Sequence, residues 1–212
     1  MIKKISCSLV VLFFSMQILN AQNNPQAEKI LTDLLTVAKT NAIKTSFKLT
    51  VKEKNDSQPQ SASGTFTLKG NKFFLEMDAM KSWFDGKTQW SYVPQNNEVS
   101  VTEPSEKELS ETNPMAILSG FKSKCLIRFS TKVKSEQNYC IEMTPKIKND
   151  VSKIEVQVNK LSGNLFSIRL TNKNGSTSLL TLSNFQKGIN VTDNIFIFNA
   201  SKYKGATVND LR

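Results

Sequence analysis

Few side chains in this sequence have the type and spacing to make or break a bond. The chain contains no histidine. That excludes Ser-His-Asp and Cys-His catalysis, histidine metal ligation and histidine pH switching. Glu103, Glu106, Glu108 and Glu111 are the one cluster of carboxylates, and they read as a solvated helix face rather than an acid/base pair. Cys125 and Cys140 flank a turn near Thr131–Ser135, so an oxidising compartment would permit a cross-strand disulfide. Their parity opposes one. Cys125 alternates with Ile127 and Phe129 on an apolar face, whereas Cys140 alternates with Glu142 and Thr144 on a polar one, and cysteines on opposite faces do not reach bonding separation. The expectation is a protein that is not an enzyme and needs no cofactor or metal.

What the sequence offers instead is rigid apolar surface. Ser82–Pro94 holds both tryptophans around an Asp85-Gly86 pair, a hairpin signal because glycine accepts the positive φ of a tight primed turn. Its second arm puts Trp90 and Tyr92 on one face and Gln89 and Ser91 on the other. Further rows alternate at period two: Phe47 and Leu49, Phe66 and Leu68, then Phe73, Leu75 and Met77. Each row reads equally as ordinary core or as the wall of a hydrophobic cavity, and periodicity does not separate the two.

The elements that must position these rows begin after a leader. Met1-Ile2-Lys3-Lys4 is a basic start, Ile5 to Leu19 is apolar, and Leu19-Asn20-Ala21 is a small-residue cleavage site, so residues 1–21 are expected to be a signal peptide cut after Ala21. Cys7 precedes most of the apolar run, whereas a lipid-modified cysteine would follow it. The remainder, 22–212, carries 26 bases against 18 acids and a net charge of +8, since Lys3 and Lys4 account for two of the chain's +10. An exported basic protein meets no chromosomal nucleic acid, so its expected partners are anionic membrane surfaces or acidic protein faces. The bland alternative is that the lysines keep sheet edges from sticking.

Asn24-Pro25 caps a helix whose apolar residues run from Ala27 to Ala38. Strands follow from Thr45 to Val101. Ser105–Glu108 forms a capping box, and Asn113-Pro114 starts a second, strongly apolar short helix containing Met115 and Leu118. Strands resume from Cys125 to Gln186, with Asn194–Phe198 as one more candidate before a polar tail. The fold class expected is mainly β within α+β. It is one domain built as a strongly curved sheet or incomplete antiparallel β-barrel of about eleven strands, with three helices against its concave face.

Several segments resemble a family. Asp85-Gly86-Lys87-Thr88-x-Trp90-x-Tyr92-x-Pro94 is similar to the D-G-K-T-x-W-x-Y-x-P hairpin of LolA-type outer-membrane lipoprotein carrier proteins. Asn113-Pro114, Met143-Thr144-Pro145-Lys146, Phe185 through Asp193, Phe196 and Val208-Asn209-Asp210 resemble further family segments in the same order. Together they extend over nearly all of 24–210. The resemblance implies an unclosed barrel lidded by three helices over a hydrophobic cavity. It implies a periplasmic carrier that takes acylated lipoproteins from an inner-membrane ABC lipoprotein-releasing complex to the outer membrane, where an acceptor or the membrane surface receives them, acting as a monomer without catalysis. On that basis Phe47, Leu49, Phe66, Leu68, Phe73, Leu75, Met77, Trp90, Tyr92, Met115 and Leu118 are expected to line the acyl cavity. A charge at Phe73 or Leu75 should then abolish binding and spare the fold. The family's loop arginine, associated with lid closure, is missing from the turn Lys69-Gly70-Asn71-Lys72, and Lys69 and Lys72 are the candidates to replace it, as point charges rather than a planar fork. The competing reading is an envelope interaction or sensor module on the same scaffold.

Overall fold

The computed structural model describes residues 22–105, 108–109 and 113–212. The expected signal peptide, together with Glu106 and Glu111, lies outside the described residues. Asn24 caps the first helix, α1 (Pro25–Thr40), with its side-chain oxygen accepting from the Ala27 N–H at 3.0 Å. Pro25 occupies the first helical position, where a missing N–H leaves nothing unpaired. The second helix, α2 (Pro114–Lys122), starts the same way: Asn113 accepts from the N–H groups of Met115 and Ala116. The capping box is also present, because the Ser105 N–H and hydroxyl both donate to the Glu108 carboxylate, at 2.8 and 2.7 Å. The helix expected behind it lies largely outside the described residues.

The strands are β1 (Ala42–Lys52), β2 (Gln60–Lys69), β3 (Lys72–Met77), β4 (Lys81–Phe84), β5 (Gln89–Val93) and β6 (Glu98–Thr102), then β7 (Cys125–Phe129), β8 (Asn138–Pro145), β9 (Val151–Asn159), β10 (Leu165–Asn172), β11 (Thr177–Lys187) and β12 (Thr207–Asp210). All twelve form one open sheet in the order β12-β6-β5-β4-β3-β2-β1-β11-β10-β9-β8-β7. Ten of the eleven neighbouring pairs are antiparallel, in line with the expected sheet. The eleventh corrects the expected polar tail, since β12 pairs parallel with β6, Val208 opposite Val99. Asn194–Phe198 is not a strand. Asp193–Phe196 is a 3-10 turn with Phe196 fully buried.

Two meanders join at one seam. β1 pairs with β2 on one side and with β11 on the other, so that Phe47 faces both Gly64 and Leu182. At the far edge, β7 is capped by the residues just before α1. Asn24 N–H donates to the Ile127 carbonyl at 2.8 Å, and Ile127 N–H donates to the Asn23 side chain at 2.9 Å.

Both helices lie on one face of the sheet. Ala27, Leu31 and Leu34 of α1 pack with Leu118 of α2 on Ile127, Met143, Ile154 and Val156. A smaller cluster of Ala38, Ile43, Phe66, Leu68, Phe73 and Phe84 continues toward β4. Among the described residues the opposite face is covered near β3–β6, by the segment after β11. There Trp83 meets Phe74 at 5.3 Å, Phe198 at 5.4 Å and Tyr203 at 5.5 Å between ring centroids, and Tyr92 meets Tyr203 at 4.6 Å. Aromatic pairs at these distances add to plain area burial.

Asp193 ties this covering segment down. Lys69 Nζ donates to one carboxylate oxygen at 2.8 Å and Lys72 Nζ to the other at 2.6 Å. These bonds hold the Asp193 pKa down to about 2, below its ordinary 3.8. A depressed carboxylate stabilises the folded state above its unfolded pKa and loses that effect as pH falls through the folded one. Asp193→Asn should therefore red-shift tryptophan emission relative to wild type above pH ~5, with the difference vanishing toward pH 2. Equal emission at neutral pH would show that the ion triad anchors nothing.

Gly64 supplies a second test. A β-carbon there would run into the Glu76 carbonyl oxygen on β3, a backbone atom held in the ladder. Gly64→Ala should cost about 1–3 kcal/mol of stability, read as a lower denaturation midpoint in urea.

Candidate functional site

α1 and α2 do not cover the middle of their face of the sheet. A cavity of about 1030 Å³ opens there, walled by β1–β3, by β10–β11 and by α2. That is the upper end of the range of roughly 300–1,000 Å³ for small-molecule sites. Its walls are almost wholly apolar. β1 contributes Ile43, Phe47 and Leu49, β2 Phe66 and Leu68, β3 Leu75 and Met77, and β11 Leu180 and Leu182. Register explains the grouping: Phe47 opposite Leu182, Leu49 opposite Leu180 and Phe66 opposite Leu75 place one continuous row of side chains on the same face across the seam. Met115, Ile117 and Phe121 of α2 close one side, and Phe185 adds an aromatic edge.

Seven of the eleven residues singled out in the sequence thus meet in one wall: Phe47, Leu49, Phe66, Leu68, Leu75, Met77 and Met115. The other four do not line it. Phe73 has no exposed surface and is sandwiched between Phe66 and Phe84, with ring centroids at 5.6 and 5.4 Å. Leu118 is buried between α1 and the sheet. Trp90 and Tyr92 stand on the opposite face, because Trp90 pairs with Trp83 and Gln89 with Phe84. Their alternation is as read, but the inward side is the other one. Aromatic side chains marked the buried face, and here both faces are buried.

The reversal brings a polar patch into the cavity that the sequence reading missed. Gln89 and Ser82 are part of the lining. The Gln89 amide donates to Ser82 Oγ at 3.1 Å and to Ser91 Oγ at 3.3 Å. The wall also takes in Lys124, Ile147, Asn149 and Asp150 from the chain segments beyond α2 and β8. Only the parity of β4–β5, fixed against β3, could have located the serines.

The hairpin turn that carries the Asp-Gly signal is closed by the Asp85 N–H, which donates to the Thr88 carbonyl at 3.2 Å across Gly86 and Lys87. Gly86 has φ 106°, and the Asp85 carboxylate accepts from the N–H groups of Lys87 and Thr88 at 2.9 and 2.8 Å. Lys69 and Lys72, the candidates for lid control, both direct their charge to Asp193, and no ion pair joins either to α1 or α2 among the described residues. Cys125 and Cys140 are free thiols on opposite faces, and burial pushes both pKa values up, keeping them protonated and unreactive. Among the described residues no three His, Cys, Asp or Glu side chains gather to hold a metal.

The family model for the outer membrane lipoprotein carrier protein LolA matches residues 20–174. The chain belongs to this family. The matched span includes the β1–β3, β10 and α2 walls of the cavity, while β11 and the covering segment lie beyond it. Among solved structures, an uncharacterized conserved protein from Thermus thermophilus superposes with a TM-score of 0.55 at 12% identity, over 87% of this chain and 99% of that one. A putative outer membrane lipoprotein-sorting protein domain from Vibrio parahaemolyticus gives 0.43 at 15% identity, over 84% and 98%. The MucA/MucB complex structure from Pseudomonas aeruginosa gives 0.46 at 12%, over 82% and 62%. At these identities the likeness is one of fold, and the Thermus protein carries it. No curated protein sequence matches.

The LolA fold divides the two positions that the sequence treats alike. Leu75 is half-exposed on the cavity wall and Phe73 is core. Leu75→Glu should keep a native circular dichroism spectrum and a cooperative melt. Phe73→Glu should not fold, since a buried unpaired charge costs several kcal/mol. Identical behaviour of the two variants would contradict the division.

Proposed function

We propose that this LolA-family protein is a periplasmic carrier that shields the acyl chains of lipoproteins between the inner and outer membranes, without catalysis. The observation that carries the reading is the apolar cavity of about 1030 Å³ between sheet and helices. Transfer of an acyl chain from bilayer to water costs about 0.8 kcal/mol per CH₂, so a carrier must present a comparable apolar surface and still release its load. Phe47, Leu49, Phe66 and Leu75 give that surface fixed shape, while Met77 and Met115 give it the adaptability that variable chains need. In this reading the leader is removed after Ala21 and the mature monomer receives acylated lipoproteins from an inner-membrane ABC lipoprotein-releasing complex. It delivers them to an outer-membrane acceptor or to the membrane surface itself.

The absence of histidine and the isolation of both thiols support a binding role over chemistry. The test is mass spectrometry of whatever co-purifies with the mature protein, beside titration with a fluorescent fatty-acid probe. Acylated lipoproteins or their lipid-bearing peptides are expected, with probe affinity falling at least tenfold in Leu75→Glu, about 1.4 kcal/mol. Empty protein that also ignores the probe would overturn the carrier reading in favour of an interaction module.

A further inference from the structure

The cavity opens beside a basic patch whose own centre is apolar. Ile147 belongs to the cavity wall and yet is 74% exposed, so it sits at the rim where the apolar interior meets solvent. On either side of it in the chain stand Lys146 and Lys148, both exposed. Lys122 and Lys124, at and beyond the end of α2, lie next to this loop, because the Lys146 N–H donates to the Lys124 carbonyl at 2.9 Å and Cys125 pairs with Pro145. Lys124 itself is part of the cavity wall.

Acids are scarce beside these charges. No acid occurs between Asn113 and Ser135, and the one acid in the loop, Asp150, also lines the cavity. None of the four lysines is in an ion pair among the described residues. Such a grouping costs self-repulsion, which a partner of opposite sign relieves.

We infer that the rim formed by Lys122, Lys124, Lys146, Ile147 and Lys148 docks the cavity mouth onto an anionic lipid bilayer. The proposal deepens the carrier reading and rests on it for its purpose, though not for its chemistry. A bilayer matches both halves of the patch. Its anionic headgroups take the lysines, whose aliphatic stems lie along the interface, and its acyl boundary takes the single branched side chain at the centre. An acidic protein face would pair with the lysines but leave Ile147 without an apolar counterpart. Docked this way, the apolar wall continues into the bilayer through Ile147, and an acyl chain crosses without passing through water.

The test uses the chain from Gln22 onward, which holds every described element, in co-sedimentation with vesicles of phosphatidylcholine alone or with one-third phosphatidylglycerol. Partitioning is expected only to the anionic vesicles, weakening with salt. It should drop about a hundredfold in the variant Lys122→Gln, Lys146→Gln, Lys148→Gln, roughly fivefold per lysine, and fall again in Ile147→Asp. The triple variant, which leaves the cavity wall untouched, should still bind the fluorescent fatty-acid probe but transfer it to anionic vesicles more slowly. Equal sedimentation of wild type and triple variant would overturn the docking surface. So would retention on immobilised poly-glutamate through these lysines without vesicle binding, since that points to an acidic protein. Loss of probe binding in wild type would sink the carrier reading instead, and the vesicle result would stand separately.

Discussion

Everything in this molecule follows from a mismatch of lengths. Twelve strands at a spacing of about 4.8 Å reach about 53 Å across the sheet. A helix of sixteen residues is about 24 Å long, and α2 is shorter. Two such rods on one face cover part of it and leave the rest. α1 lays its apolar stripe on β7–β10, where Ile127, Met143, Ile154 and Val156 lose all contact with water. The strip from β1 to β3 and β11 has equally apolar side chains that neither α1 nor α2 covers fully, Ala38 reaching only one end of it, and the cavity is that remainder. It is a deficit of packing built into the architecture rather than a pocket carved into a core.

The other face shows the opposite solution. Near β3–β6 the sheet has no helix on its far side, and the chain folds back over it after β11. Phe198 and Tyr203 pack on Trp83, Tyr203 also meets Tyr92, and Asp193 fastens the cover to Lys69 and Lys72. The most aromatic stretch of the sequence therefore has a structural task. It fills a second, sealed core so that strands β4–β6 can stand as a stiff wall with Ser82 and Gln89 turned toward the cavity.

How much of this was legible depends on how local the determinant is. Asn24-Pro25 and Asn113-Pro114 announced both described helices, since a cap and its proline act within one turn. The period-two rows of β1–β3 announced the cavity wall, because Phe47, Phe66 and Leu75 need only one side to be buried. Trp90 and Tyr92 could not be placed, because alternation says which residues share a face and nothing about which face is covered by what. Phe73 and Leu118 belong to the right face, but whether a side chain ends under a helix or beside it is decided by the helix's position. β12 escaped because four exposed residues, three of them polar, pair parallel to a strand far away in sequence. The lid-control role read onto Lys69 and Lys72 met a partner, Asp193, that only the folded chain brings near.

The seam between β1 and β11 has a kinetic side. Phe47 and Leu182 belong to two meanders that each form from neighbouring hairpins, whereas their own pairing must close more than half of the chain. Contacts of such separation are slow to form because the entropy of loop closure is lost before they are made. The cavity wall straddles this junction, so neither half contains it. A half-folded chain therefore encloses no compartment, only two loose half-surfaces. The enclosure arrives in one step, with the last long strand.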